Sequence, residues 1–191
     1  MSAPELVVLL DEQGTAVGTA DKATVHHRQT PLHLAFSCYL FDDRDRLLLT
    51  RRALTKTTWP GVWTNTCCGH PGPGEDHADA VRRRVRQELG LEIEDLRLVL
   101  PAFRYRAVMP DGVVENEMCP VYAGRASGPL LPDPAEVDDT EWVPWAGLRA
   151  DVLAGRREIS PWCDEQVAAL PEEPWTAADR PVSELPPAAR P

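Results

Sequence analysis

The sequence predicts a single domain of the α/β class, of the α+β kind, and three observations carry that prediction. Short strand-like apolar runs separated by turn residues dominate the chain as far as Arg125. One strongly amphipathic helix interrupts them. A length of 191 residues suffices for one hydrophobic core and is short for two.

The elements follow in order. Glu5–Leu10 and Ala16–Ala20 flank Asp11-Glu12-Gln13-Gly14 and read as an opening hairpin. Leu32–Phe41 and Leu47–Thr50, split by the polar cluster Asp42–Asp45, read as a second strand pair. Gly61–Pro73 mixes Gly, Pro, Cys and His without periodicity and reads as a loop. Over Asp76–Leu89 the apolar residues Ala78, Val81, Val85 and Leu89 recur at helical spacing, with Asp76 as N-cap and Gly90 as stop signal. Leu96–Val108 and Val113–Arg125 flank Met109-Pro110-Asp111-Gly112 and predict a long hairpin. Glu141–Val143 reads as a short strand, and Trp145–Leu153 and Pro161–Leu170 as short helices. The domain is thus expected over residues 1–170. From Pro171, six of 21 residues are proline, which predicts a mostly disordered tail over 171–191.

The net charge of −10 opposes broad binding to nucleic acid or to anionic membrane, so a phosphorylated ligand must meet a local basic pocket. No apolar run approaches the roughly 18–20 residues of a membrane span, and Met1–Leu10 lacks the basic stretch of a targeting signal. A cytoplasmic protein is expected. The five cysteines, Cys38, Cys67, Cys68, Cys119 and Cys163, are an odd number without a metal-type Cys-x-x-Cys pair and predict free thiols. No Gly-x-Gly-x-x-Gly fingerprint follows a strand, so neither flavin nor nicotinamide is expected.

The segment from Gly69 through Glu75 to Arg83-Arg84-Val85-Arg86-Gln87-Glu88-Leu89-Gly90 resembles the signature of the Nudix superfamily, whose fold places a mixed β-sheet between helices. In that family the loop and helix present glutamates to divalent cations that bridge a diphosphate, and oxygen ligands suit such hard ions. Two positions depart from the hydrolytic members, Arg84 and Gln87 standing where glutamates would be. A helix that keeps only Glu88 of this group has lost much of the charge for gathering metal around an attacking water. Arg82 and Arg86 read as a solvated face.

Further segments resemble the metal-dependent (type 1) isopentenyl-diphosphate isomerase branch: His26 with His33, Thr50–Lys56, Trp59–Asn65, Cys68-Gly69-His70, Phe103-Arg104-Tyr105, Glu115-Asn116-Glu117 and Ser160-Pro161-Trp162. The likeness runs from about Leu6 to about Ala169 in order and spacing. Glu115 and Glu117, two apart on a strand, point to one face and can share a cation. The resemblance joins them with His26, His33 and His70 in one site for Mn²⁺ or Zn²⁺, while His27 and His77 read as surface residues. By the same resemblance Glu88, with the Cys68 backbone carbonyl, holds Mg²⁺ against the diphosphate, and Lys22, Arg52, Lys56 and Arg84 bind its phosphates.

The chemistry that the resemblance implies interconverts isopentenyl and dimethylallyl diphosphate, a step of isoprenoid biosynthesis, by protonation at C4 and deprotonation at C2 through a carbocation-like intermediate. Glu117, with Tyr105 hydrogen-bonded beside it, would donate to C4. Cys68 as thiolate would take the proton from C2. Trp162 would face the developing cation, and the other tryptophans read as packing residues. The expected partner is a small diphosphate and the expected state a monomer. Two alternatives stand beside this: a Nudix hydrolase of a nucleoside or other diphosphate, and a catalytically silent Nudix-fold binding module.

Overall fold

The computed structural model describes residues 5–191; the first four, on which the targeting-signal expectation partly rests, lie outside the described residues. Among the described residues twelve strands form two mixed sheets, with three α-helices packed against them. The first sheet runs β2 (Ala16–Asp21), β1 (Leu6–Leu10), β3 (His33–Leu34), β10 (Val114–Met118), β9 (Arg104–Val108). The second runs β12 (Val137–Pro144), β5 (Arg46–Arg52), β4 (Phe36–Phe41), β11 (Val121–Ser127), β8 (Glu92–Leu100). Both contain one parallel pair, β3 with β10 and β4 with β11.

The apolar run expected as one strand over Leu32–Phe41 is therefore two strands that change sheet at Ala35. The long hairpin is divided in the same way. Its turn closes as expected, with Gly112 N–H donating to Met109 O at 2.9 Å, but both arms pass from one sheet to the other near Pro101 and Pro120. Proline has no N–H to continue a ladder, so each marks the place where pairing ends. This double crossing brings the inner ends of both sheets together, and the site forms there.

Strand β4 has both faces buried. Phe36, Cys38 and Leu40 pack with Val81, Val85 and Leu89 of helix α1 (His77–Leu89), while Tyr39 and Phe41 point the opposite way, into the cluster holding Trp145 and Leu148 of α2 (Trp145–Leu153) and Trp162 and Val167 of α3 (Pro161–Ala169). Period-two alternation thus divides one strand between two cores. Helix α1 starts and stops as predicted: Asp76 Oδ1 accepts the Asp79 N–H at 3.1 Å, and Gly90 at φ 69° caps the far end. Its buried face also includes Arg84 and Glu88.

The Gly61–Pro73 segment, expected as a loop, contains two very short strands, β6 (Trp63–Thr64) and β7 (Cys67–Gly69). Strands β4 and β5 pair only at Phe41 and Leu47 and then diverge, and β6 and β7 fill the split. Side chains replace the missing ladder bonds: Thr66 Oγ1 accepts from Leu40 N and donates to Leu48 O, and Asn65 Nδ2 donates to Cys38 O.

The tail over 171–191 is packed, contrary to the disordered segment expected. Leu185 and Ala189 enter the core beside α1, the Trp175 ring packs tilted against Phe41 with centroids 4.7 Å apart, and Asp179 and Arg180 hydrogen-bond both backbone groups of Leu98 on edge strand β8. Fixed proline dihedrals reduce the entropy lost on ordering, and three turns of 3-10 helix, Pro174–Thr176, Val182–Glu184 and Pro187–Ala189, space the apolar anchors. No helix among the described residues is long and apolar enough to cross a membrane.

Candidate active site

Pairing register centres the site on Glu117. Across the first sheet its neighbours are His33 on β3 and Tyr105 on β9. Glu117 Oε1 lies 3.1 Å from His70 Nε2, 3.4 Å from His33 Nε2 and 4.0 Å from His26 Nε2. The ligand atoms of these four residues all fall within 4.8 Å of one another. Burial would push the Glu117 carboxyl up, but the three imidazoles outweigh it and hold the group well below the usual carboxylate range. Burial drives His70 down to about 4, so it is a neutral imidazole at physiological pH.

The donor set fits a divalent transition metal. His33 Nδ1 lies 2.9 Å from the Pro31 carbonyl, which can only accept, so Nδ1 carries a hydrogen and Nε2 is the nitrogen turned to Glu117 and left for a metal. His26 Nε2 and His33 Nε2 are buried without hydrogen-bond partners, an unfavourable state that a shared cation relieves.

Glu115, expected as a fifth ligand, stands outside this group and meets it through Tyr105. The Tyr105 hydroxyl lies 2.8 Å from Glu115 Oε2 and 2.8 Å from Glu117 Oε2. One hydroxyl has one proton, so both contacts are hydrogen bonds only if a carboxyl is protonated. Of the two, Glu115 is the carboxyl that holds a proton more readily, since burial and then the neighbouring Glu117 charge raise it. The chain runs from Glu115 to Tyr105 to Glu117.

Strand β7 sends its two adjacent thiols in different directions, as an extended backbone must. Cys67 Sγ faces the α1 side, 3.6 Å from Glu88 Oε2, while Cys68 lines the cleft with Glu117, Tyr105 and Trp162. Burial pushes the Cys68 thiol up to about 11 despite its hydrogen bonds with Ser37 and Asn65, so it rests as a thiol, its S–H given to Asn65 Oδ1, and not as the thiolate expected. Trp162 is buried against Tyr105 at 5.6 Å, and Trp59 meets it edge-on at 6.0 Å.

The four expected phosphate-binding residues, Lys22, Arg52, Lys56 and Arg84, line this same cleft of about 620 Å³, a volume suited to a small ligand. Three of them are already ion-paired: Lys22 with Glu5, Lys56 with Glu136, and Arg84 with both Glu88 and, at 3.3 Å, Glu136. Arg52 instead donates two hydrogen bonds to the Thr58 carbonyl, which fixes its guanidinium 5.7 Å from the Trp162 ring. Glu88 lies behind the cleft, in a small side cavity with Lys56 and Glu136.

Several placements departed from sequence reasoning. His77 is fully buried rather than on the surface; its Nδ1 lies 3.0 Å from the Tyr122 hydroxyl and its Nε2 3.2 Å from Ala35 O. His27 is exposed, as expected. Glu136, Asn65 and Thr58 contribute to the site without having been singled out. The first lay in a Gly/Pro-rich stretch that reads as solvent-facing, and its lysine partner is 80 residues away.

Comparison with known proteins now bears on this geometry. The NUDIX domain model matches residues 31–163. A protein named isopentenyl-diphosphate Delta-isomerase from Mycolicibacterium vanbaalenii is 66% identical over 87% of this chain and 91% of its own. The chain belongs to the isopentenyl-diphosphate Delta-isomerase family of Nudix proteins. A family member of the same name from Saccharopolyspora erythraea is 58% identical over 97% of both chains, so the likeness extends through the packed tail of this Nudix protein. The crystal structure of DR0079 from Deinococcus radiodurans, 21% identical, superposes with a TM-score of 0.66 over 86% of this chain and 98% of its own, a likeness of fold. Family membership accounts for a divalent-metal site on this scaffold, and the cluster around Glu117 is where the residues fit one.

Proposed function

We propose that this protein interconverts isopentenyl diphosphate and dimethylallyl diphosphate, with Cys68 and Glu117 as the two proton sites. The observation that carries the reading is their convergence on one cleft from different sheets, Cys68 from the second and Glu117 from the first. An allylic shift needs a proton delivered at C4 and another removed at C2, and a cleft with a proton-active group on each wall meets that need.

The two groups define two protonation states. With the proton on Glu117 and Cys68 as thiolate, the pair is loaded for isopentenyl diphosphate: Glu117 gives its proton to C4 and Cys68 takes one from C2. That transfer leaves Cys68 as thiol and Glu117 as carboxylate, the resting state favoured here and the state loaded for the reverse reaction. Tyr105 relays charge between Glu117 and Glu115 and holds Glu117 in place. Trp162 walls the cleft against water and offers an electron-rich face to positive charge at C3, worth about 2 kcal/mol or more when desolvated. Arg52, Lys56, Arg84 and Lys22 take the diphosphate.

The finer metal assignment is Mn²⁺ or Zn²⁺ held by His26, His33, His70 and Glu117, and Mg²⁺ with the diphosphate beside Glu88. A cation held at the first site would make the Glu117 carboxyl a stronger acid by stabilising the carboxylate left behind. Hydrolysis is the weaker alternative, because the only remaining helix glutamate of the Nudix group, Glu88, is neutralised by Arg84. The test is incubation of the purified protein with isopentenyl diphosphate and Mg²⁺, followed by NMR. Appearance of dimethylallyl diphosphate supports the reading; release of phosphate without isomerisation overturns it.

A further inference from the structure

Between β6 and β7, outside every group assigned above, Asn65 is completely buried and completely hydrogen-bonded. Its Oδ1 lies 3.2 Å from Cys68 Sγ, 3.1 Å from Trp162 Nε1 and 2.9 Å from Thr64 Oγ1; its Nδ2 donates to Cys38 O at 3.1 Å and Cys67 O at 2.9 Å. Partner chemistry fixes the amide orientation. An indole N–H can only donate and a backbone carbonyl can only accept, so Oδ1 faces Trp162 and Nδ2 faces the carbonyls.

That orientation dictates the thiol. Oδ1 only accepts, so the Cys68 S–H must point at Asn65, and toward Ser37 Oγ, 3.4 Å away, the sulfur can only accept; the Cys119 thiol, also 3.4 Å from Ser37 Oγ, can donate to that oxygen in turn. Ser37 is itself fixed by an N–H from Gln166 at 2.9 Å, and Gln166 by the Tyr39 hydroxyl at 2.8 Å. The sulfur thus has one acceptor and one donor at fixed places. The same Oδ1 holds the indole edge of Trp162, a residue 97 positions away on α3.

We infer that Asn65 is a positioning residue that sets the Cys68 thiol and the Trp162 ring at one relative geometry, so that the proton site and the wall facing C3 are fixed together. Backbone anchoring suits Asn65 to the role. Its Nδ2 bonds tie it to β4 and β7, and Thr50 Oγ1 donates to its carbonyl at 3.0 Å from β5. A rigid mount matters because a displacement of about 1 Å at a reacting group costs on the order of a hundredfold in rate.

The inference rests on Cys68 being a proton site, and the experiment separates the two. In the purified, metal-loaded protein, Asn65→Ala should lower kcat about a hundredfold while KM for isopentenyl diphosphate stays within about threefold, since the phosphate-binding residues are elsewhere in the cleft. The infrared S–H stretch of Cys68, isolated as the difference spectrum against Cys68→Ala in each background, should shift to higher frequency when Asn65 is lost. Thr64→Val, which removes another donor to Oδ1 and leaves the amide in place, should leave that band unmoved, even if the protein is less stable. An unshifted Cys68 band in Asn65→Ala, or near-normal kcat in that variant while Cys68→Ala is inactive, overturns the inference. Normal turnover by Cys68→Ala would instead overturn the reading of Cys68.

Discussion

Two charged clusters face the same cleft and are built in opposite ways. Around Glu117, buried ring nitrogens of His26 and His33 have no hydrogen-bond partner and point inward. Around Arg84, the charges are already matched by Glu88 and Glu136, with Lys56 closing the network. In the proposed reading the first cluster would hold a cation, whereas the second would take a diphosphate that competes with Glu88 and Glu136 for its basic groups. A resident ion and a transient anion thus demand different preparation: unsatisfied donors held rigidly in one case, exchangeable ion pairs in the other.

The largest expected effects fall on the chemistry between the clusters. Cys68→Ala should lose about a thousandfold in turnover, whereas Cys67→Ala, whose thiol faces α1, should remain within a few fold; steady-state rates followed by NMR decide it, and the reverse pattern would exchange the two walls of the site.

For the first cluster, His33→Ala should empty the metal site. Glu115→Ala, which removes a group reaching the cluster only through Tyr105, should weaken metal binding by about 10–100-fold, as loss of an outer partner does. Metal titration with elemental analysis distinguishes them, and equal, complete loss in both would make Glu115 a direct ligand.

For the second cluster, Glu136→Gln should free Lys56, leave Arg84 with Glu88 alone, and tighten inhibition by inorganic diphosphate by about tenfold, or roughly 1.4 kcal/mol. Weaker inhibition in that variant would mean that Glu136 aims the basic groups instead of competing for them.

These two clusters were unequally legible in the sequence. The resemblance joined His26, His33 and His70 with Glu115 and Glu117, and imidazoles are few and chemically pointed in this chain; the structure brings all of them but Glu115 together. Glu136 and Asn65 could not be picked out, since a lone carboxylate or amide in a polar stretch reads as a solvated turn, and their partners are set by the tertiary fold. The amphipathic helix and the first hairpin were visible through periodicity. The division of Leu32–Phe41 between two sheets was not, because both halves are apolar and nothing local marks Ala35 as a crossing. The tail was misread because proline content reports low helical and strand propensity, while Leu185 and Ala189 supply the burial that decides order.

Two smaller effects test the scaffold. Leu185→Ala should destabilise the protein by about 2–3 kcal/mol, a fall in Tm on the order of 5–10 °C, measured by calorimetry; an unchanged Tm would return the tail to disorder. The acid limb of stability should also reflect His77. Burial lowers its folded pKa from 6.5 to about 4, so between those values the unfolded chain binds more protons. Its contribution is full above pH 6.5 and is lost as pH falls toward 4. His77→Gln should flatten the dependence of unfolding free energy on pH across that window, and an unchanged slope would assign the acid sensitivity elsewhere.

The contact between Ala188 N–H and Gly14 O, 2.9 Å long, joins the first hairpin to a segment more than 170 residues later. During synthesis the hairpin leaves the ribosome early, yet the surface that Leu185 and Ala189 cover stays open until they have been made. Edge strand β8 likewise waits for Asp179 and Arg180 to occupy Leu98, and an unpaired edge is a template for strands of other chains. Final closure therefore waits until residues 179–189 have been made, and nascent chains released before residue 179 would present an adhesive edge to one another, a hazard that rises with the rate at which the protein is expressed.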